Sequence, residues 1–312
     1  MPVWMRSVYF EKDLIMIKMF AFGGLGNQMF QYAAASVVAD RLNTGLCIDT
    51  SLLTTHTRNT TPRGYELTCF VLSENREKVR SSKWRGFLFL KAYPQIKNSF
   101  WGKFLAQTYA LFEDKEAYNF DSGIMLLQNN ALLWGYFQTE KYFSSHENRI
   151  REVFRFKRPL SGKNRELAEK IQSCPSVSIH IRRGDYITNK NCSDTFRLLP
   201  PDYYKKAIER MEKRVENPVF FVFSDEPERA KTEIDLPQAV YIDWNQGSDS
   251  YIDMQLMTYC RHNIIANSSF SWWGAWLNNH ADKIVIAPAV WLKDEKANAG
   301  INDLLPEKWM QL

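Results

Sequence analysis

The sequence predicts an α/β protein of two doubly wound domains, residues 1–157 and 158–312. Three observations carry this. A chain of 312 residues exceeds the usual size of one domain. Its first half opens with a strand, a glycine-rich turn, a helix and a second strand. Its second half alternates helix and strand five times over, the signature of parallel sheets with helices on both faces.

In the first half the apolar run Ile17 to Phe22 reads as a strand. The turn Gly23-Gly24-Leu25-Gly26-Asn27-Gln28 follows. From Met29 the apolar residues Met29, Phe30, Ala33, Ala34, Val37, Val38 and Leu42 recur at helical spacing. Asn43 and Gly45 supply a stop signal, and Leu46 to Asp49 forms the next strand. The stretch Thr54 to Phe104 shows no regular pattern. The second half reads more clearly: helix Asn164 to Ile171, strand Val177 to Ile181, and a helix from Pro201, proline being suited to a first turn. Strand Val219 to Phe223, ending at Ser224-Asp225, precedes a helix opened by Pro227. Strand Val240 to Ile242, helix Tyr251 to Cys260, strand Ile264 to Ala266, helix Phe270 to Leu277 and strand Ile284 to Ile286 complete the alternation. Such sheets bind ligands beyond the carboxyl ends of their strands. His180, Arg182, Asp225, Ser268 and Ser269 all fall there.

Composition narrows the classes. The apolar share of 45% is that of a globular protein, and the net charge of +5 favours acidic partners weakly. No nucleic-acid-binding signature accompanies that charge. Cys47, Cys69, Cys174, Cys192 and Cys260 are odd in number and unpaired in spacing, which argues against a disulfide framework or zinc site and fits a reducing cytoplasm. No apolar run approaches the roughly 18 residues of a membrane span. The first fifteen residues carry Arg6, Glu11, Lys12 and Asp13 and do not read as a signal peptide; Met16 and Met19 are alternative starts.

The stretch His180-Ile181-Arg182-Arg183-Gly184-Asp185-Tyr186 carries the most chemistry. Strand side chains alternate, so Ser176, Ser178, His180 and Arg182 share one face, and Arg183 points away to hold the loop. Arginine forks onto phosphate oxygens; the other reading is a strand end with solvated arginines. Asp225 reads either as an acceptor for the N1–H and amino group of guanine or as a helix cap. Asn267, Ser268 and Ser269 open a helix, where backbone N–H groups attract anions. Trp272, Trp273 and Trp276 read as core, with sugar stacking as the alternative. Gly24-x-Gly26 followed by Asp49 partly imitates a dinucleotide fingerprint, but Met29 stands where its third glycine belongs. Asn27 and Gln28 bring amides to that turn, which suits a sugar. No D-x-D motif appears, so no metal is expected and arginine supplies the positive charge.

GGLGNQMFQYA, HIRRGDY, FSDE and NSSFSWWGAW together resemble the α-1,2-fucosyltransferases of glycosyltransferase family 11, in the family's order, from about Ile17 to Leu292. The resemblance implies a GT-B fold: an N-terminal acceptor-side and a C-terminal GDP-sugar-binding Rossmann-like domain facing a cleft. It implies inverting, metal-independent transfer of L-fucose from GDP-β-L-fucose to the 2-hydroxyl of a galactose. By similarity Arg182 binds the β-phosphate and is catalytic, and Arg183 belongs to the donor-binding set and supports the arginine loop. His180 and Asp225 contact guanosine, and Asn267, Ser268 and Ser269 the diphosphate. Gly24, Gly26, Asn27 and Gln28 line the sugar or acceptor side, with Asn27 at the reacting end. Asp185 is the nearest candidate base; Asp194, Asp249 and Asp253 are weaker, and a phosphate oxygen is the alternative proton acceptor.

Two other classes compete: a dinucleotide-dependent oxidoreductase, from Gly24, Gly26 and Asp49, and a non-catalytic carbohydrate-binding protein, from the tryptophans. The expected location is the cytoplasm, at the inner face of the membrane if the galactose-terminated acceptor is lipid-linked. Basic Arg76 to Lys103 interleaved with Trp84, Phe87, Phe89, Tyr93, Phe100 and Trp101 suits peripheral contact with anionic headgroups, or else a solvated rim.

Overall fold

The structure is a computed structural model describing residues 16–54, 63–73, 76–234 and 236–312, without the side chains of Thr54, Asp185 and Thr188. Of the alternative starts, Met16 is the first described residue and Met19 lies within the first strand; the segment before Met16 lies outside the described residues. The chain divides at Arg155/Phe156 into two compact units, each built on its own parallel sheet.

In the first unit β1 (Ile17–Phe20) lies between β2 (Leu46–Asp49) and β5 (Leu132–Trp134). Beyond them sit β3 (Glu77–Arg80) and β4 (Leu111–Glu113), giving the order β3-β2-β1-β5-β4. Every pairing is parallel. Residues Ile17 to Phe20 are buried, as a central strand covered on both faces requires. The following helix, Leu25–Arg41, begins four residues before its apolar periodicity does. Gly24 caps it: Asn27 N–H and Gln28 N–H both donate to the Gly24 carbonyl, at 3.0 and 3.1 Å. The turn expected over Leu25 to Gln28 is thus the first turn of the helix. β3, β4 and β5 were not legible, being three or four residues long, with Glu-Lys-Val-Arg in the edge strand β3.

The second unit holds β6 (Ser176–Ile181), β7 (Val219–Ser224), β8 (Val240–Ile242), β9 (His262–Ile264), β10 (Val285–Ala287) and β11 (Met310–Gln311). Their order, β8-β7-β6-β9-β10-β11, is that of the doubly wound nucleotide-binding sheet. β11 extends the sheet by one strand beyond the five expected. Val177, Ile179, Ile181 and Val222 pack under the Pro201–Glu212 helix through Tyr203, Tyr204, Ala207 and Met211. Phe221 and Phe223 face the other way, onto Leu167 and Ile171 of the Gly162–Gln172 helix and Leu256 and Met257 of the Tyr251–Tyr259 helix. At roughly 1.5–3 kcal/mol per buried large apolar side chain, these two clusters hold the scaffold that fixes the strand ends. In both sheets the strand order reverses at the first strand, β1 or β6, and the loops that follow those strands carry the chemistry.

Candidate active site

β6 and β7 run in register, pairing His180 with Phe223 and Ile181 with Ser224. One residue further on, Arg182 meets Asp225: its guanidinium lies 3.0 Å from the Asp225 carboxylate, each side chain about one-fifth exposed. The same carboxylate accepts from the Arg183 and Gly184 backbone N–H groups at 2.8 and 3.1 Å. A side chain on Gly184 would bring its Cβ to 2.8 Å from Asp225 Oδ2, so glycine is required for this approach. Asp225 is therefore the anchor of the arginine loop. The helix-cap reading of it is corrected, because Ser224 Oγ accepts from Glu226 N–H at the next turn while both Asp225 oxygens hold the loop.

Arg183 is turned inward and 1% exposed. Its guanidinium donates to Glu233 at 2.7 Å and lies 5.8 Å from the Tyr204 ring centroid. Burial alone would raise the Glu233 carboxyl; hydrogen bonds and charge from Arg229 and Arg183 outweigh it and hold it below its ordinary range. The loop-holding role read from strand parity stands, and donor contact through the Arg183 side chain does not. His180 lies beneath the loop, its ring 5.5 Å from that of Phe270. Burial, aided by the Arg182 charge, lowers its pKa to about 3, so it is a neutral imidazole at physiological pH. Its Nδ1 is buried with no hydrogen-bond partner among the described residues.

Beyond β9 the Ser269–Leu277 helix starts at the same sheet edge. Ser268 is its cap, accepting from Phe270 N–H at 3.3 Å, and Ser269 is half-buried. Asn267 is 1% exposed and donates to the Arg197 and Trp291 carbonyls at 2.7 and 2.8 Å. Its side chain ties two loops together and does not face a donor. Trp272 and Trp273 are fully buried and Trp276 nearly so, which makes them core and removes the sugar-stacking reading.

Sequence reasoning gave Asp253 only a minor place, and the structure gives it more. In the first turn of the Tyr251–Tyr259 helix it accepts from Asn245 Nδ2 at 2.8 Å. Asn245 pairs with Asn164, which also accepts from Trp244 Nε1 at 2.8 Å. Burial raises the Asp253 carboxyl to about 7, with the Asn245 hydrogen bond working against it. These side chains come from the end of β8 and two helix starts, so their convergence left no local signal. Asp194 and Asp249 are exposed. The Asp185 backbone lies in the Gly184–Thr188 helical turn, and its side chain is outside the described residues. No cluster of metal ligands occurs among the described residues. A cavity of about 310 Å³ lined by Gln172, Tyr259 and Leu277 sits at the helix ends that lead into the strands, the edge opposite this chemistry.

In the first unit, Leu25 N–H donates to Glu66 at 2.9 Å, so the chain's own carboxylate occupies that helix start. Gln28 is fully buried, donating to the Gly23 and Gly64 carbonyls at 2.9 Å each and accepting from Glu66 N–H at 3.0 Å. It is a clamp, which corrects its placement on the acceptor side. Gly24 is half-buried and Gly26 buried inside the first turn. Asn27 accepts from Gln138 Nε2 at 2.7 Å. Gly23, not singled out in the sequence, is the residue that needs to be glycine: its φ is +75°, and a Cβ there would lie 2.5 Å from Asn27 Nδ2. Asp49 binds Arg85 at 3.2 Å and caps Ser51 N–H at 3.0 Å. It is thus engaged internally, and the dinucleotide reading loses its acidic partner.

A parallel-sheet unit with an anchored arginine loop and a helix start at one edge presents an anion-ready site of the doubly wound type. The family model for glycosyl transferase family 11 matches residues 4–312, and the chain belongs to that family of glycosyltransferases. It is 35% identical to the Escherichia coli O-antigen biosynthesis glycosyltransferase WbnK, over 93% of this chain and 98% of that protein. It is also 35% identical to an Escherichia coli alpha-1,2-colitosyltransferase, over 93% of this chain and 96% of that one. Human galactoside alpha-(1,2)-fucosyltransferase 1 is 31% identical over 32% of this chain and 28% of its own length. Among solved structures, the fucosyltransferase NodZ from Bradyrhizobium superposes with a TM-score of 0.51 at 14% identity, covering 83% of this chain and 91% of its own. That likeness, with the two parallel sheets, makes the fold GT-B. Family membership excludes the oxidoreductase and the non-catalytic binding protein. No described helix is long and apolar enough to cross a membrane.

Proposed function

We propose that this glycosyltransferase is an inverting galactoside α-1,2-fucosyltransferase, moving L-fucose from GDP-β-L-fucose to the 2-hydroxyl of a galactose in a glycan. The observation that carries the reading is Arg182: a guanidinium set in place by Asp225 at the carboxyl end of the switch-point strand. In the transfer, the acceptor oxygen attacks fucose C1 from the face opposite the diphosphate. The C1–O bond breaks and its electron pair leaves on the β-phosphate. Charge grows there while the sugar becomes cationic, so a pre-oriented guanidinium stabilises the transition state more than the bound donor. Arg183 and Glu233 keep the loop in position, and the Ser268–Ser269 helix start adds N–H groups for a second phosphate. The acceptor proton passes to the departing diphosphate or to a loop carboxylate, for which Asp185 is the candidate. Asn27 and the glycine turn serve the sugar or acceptor side.

Metal independence is part of the proposal, with arginine and helix N–H groups neutralising the diphosphate. Activity is expected to survive excess EDTA at neutral pH; a loss restored by Mg²⁺ or Mn²⁺ would count against it. The relative named an alpha-1,2-colitosyltransferase supports a second donor reading, GDP-colitose, whose sugar lacks the 3-hydroxyl of fucose. Turnover of the two donors on one galactose-terminated acceptor, with the new linkage read by NMR, decides between them. Use of GDP-colitose with GDP-fucose untouched would remove the fucose reading and keep the arginine-centred mechanism. The relative named for O-antigen biosynthesis makes a bacterial surface polysaccharide repeat the first acceptor to try.

A further inference from the structure

The 35 residues Lys78 to Phe112 contain seven Lys and Arg and no Asp or Glu. The rest of the chain, with 33 Lys and Arg against 35 Asp and Glu, is net negative. The positive balance of the whole protein therefore resides in this one segment. It folds as consecutive helical pieces, Lys83–Phe87, Leu88–Ala92 and Tyr93–Ile96, followed by the Phe100–Thr108 helix. Leu88, Phe89 and Tyr93 of the first stretch pack with Phe20, Leu52 and Leu132 of the sheet core, and Leu105, Ala106 and Tyr109 join the same cluster. Gly102 is buried where any side chain would strike the Ile96 carbonyl, so the two helical stretches are locked together.

The opposite faces are open. Lys83, Trp84, Phe87, Lys91 and Pro94 recur at helical spacing on the first stretch and are all exposed; Phe100, Trp101, Lys103, Phe104 and Gln107 do so on the second. Phe100 is 75% exposed, Trp101 66% and Phe87 59%. Phe100 and Trp101 contact each other edge to face at 5.6 Å, forming an aromatic ridge. Arg85 is bound to Asp49 and Lys97 to Glu113, whereas Lys83, Lys91 and Lys103 have no ion pair among the described residues. Large aromatics left in water on helices that already bury an apolar inner face are not explained by folding.

We propose that this face docks the protein on an anionic lipid surface. Aromatic residues enter the headgroup boundary, lysines pair with the lipid charges, and the aliphatic lysine stems follow the apolar layer. A protein partner with an acidic groove is the competing occupant. The absence of a single acid over 35 residues favours an extended, uniformly negative surface over a patterned one. This goes beyond the transfer reaction and does not depend on which sugar is moved.

The full chain is sedimented with vesicles of phosphatidylcholine alone and with vesicles holding phosphatidylglycerol, at low and high salt. Binding is expected only to the anionic vesicles and is released by salt, since the Debye length shrinks from about 30 Å at 0.01 M to about 3 Å at 1 M. Each lysine near such a surface is worth about fivefold in binding, so the triple variant Lys83→Glu, Lys91→Glu, Lys103→Glu should bind on the order of 10²-fold more weakly. Phe100→Ser with Trp101→Ser should also lose vesicle binding. Both variants are checked for fold by circular dichroism and for unchanged transfer to a water-soluble acceptor, which separates docking from catalysis. Wild-type protein that stays in the supernatant, or variants that bind as well as wild type, would overturn the proposal. So would self-association through Phe100 and Trp101 without vesicle binding.

Discussion

The two units place their chemistry at the same topological position and fill it differently. In each, the loop that matters follows the strand where the sheet order reverses, β1 in one and β6 in the other. After β1 the helix start is closed by the chain itself: Glu66 takes the Leu25 N–H and Gln28 clamps Gly23, Gly64 and Glu66. After β6 the chain uses its acids the other way, spending Asp225 and Glu233 on two arginines and leaving the Arg182 fork one-fifth exposed. The difference teaches that the doubly wound fold supplies an anion-ready position twice. What differs is the use of the carboxylates: Glu66 takes a helix N–H outright, whereas Asp225 holds the loop N–H groups and leaves the Arg182 guanidinium partly open.

Substitution of Arg182 tests this contrast most severely. Arg182→Ala is expected to lower turnover of the donor by about 10²–10³ while the protein stays folded. Arg182→Lys keeps the charge but loses the planar fork and should retain part of the activity. Initial rates beside circular dichroism check both, and a folded Arg182→Ala with near-native turnover breaks the scheme. Disturbing the anchor should cost less. Asp225→Asn presents an amide donor to Arg182 or to a loop N–H, and GDP affinity should fall by about 1–3 kcal/mol in calorimetry; unchanged affinity would mean the loop holds without it.

The closed helix start in the first unit gives the converse test. Glu66→Ala removes a carboxylate from a helix N-terminus and should cost about 1 kcal/mol of stability in urea unfolding. GDP affinity should not change. If the variant gains a second GDP site, Glu66 is the plug inferred; if it loses donor affinity, the two units do not divide the labour as described.

The last test concerns His180 and shows only on the acid side. Its folded pKa, about 3, lies below the usual value near 6.5, so the folded protein binds fewer protons than the unfolded chain between those limits. That contribution is fully present above pH 6.5 and is lost as pH falls towards 3. Replacing His180 by Leu should flatten the acid arm of stability, at about 1.4 kcal/mol per pH unit lost at most. Asp253 slopes the other way. Its carboxyl is raised from 3.8 to about 7, so its contribution is present at low pH and lost as pH rises through that window. Asp253→Asn should remove that slope.

Much of the second unit was legible because its strands are apolar runs bounded by proline and polar turns, and because side-chain alternation put Arg183 on the face opposite Arg182. Strand limits slipped by a residue or two: β9 spans His262–Ile264 where Ile264 to Ala266 was expected. Residue partners were not legible. Arg183 meets Glu233 fifty residues on, and Asn27 meets Gln138 more than a hundred residues away. Such pairs are set by how elements stack, and no periodicity records them. Asn267 and Gln28 show the same limit from the other side. An amide at a helix start looks like a ligand contact until its N–H groups are found donating to carbonyls within the chain.

The indoles behind Ser268 carry a consequence of another kind. Trp272 lies 5.0 Å from Trp273, is stacked on Trp276 at 6.2 Å and an 11° interplanar angle, and packs on Trp309 at 5.4 Å. Chromophores this close share their excited states, so this cluster should give an exciton couplet in the ultraviolet dichroism spectrum. It reports on the second unit alone, and, through Trp309, on whether the final strand is seated. The protein thereby holds a built-in optical thermometer for its second unit, readable while the first unit melts or stays folded.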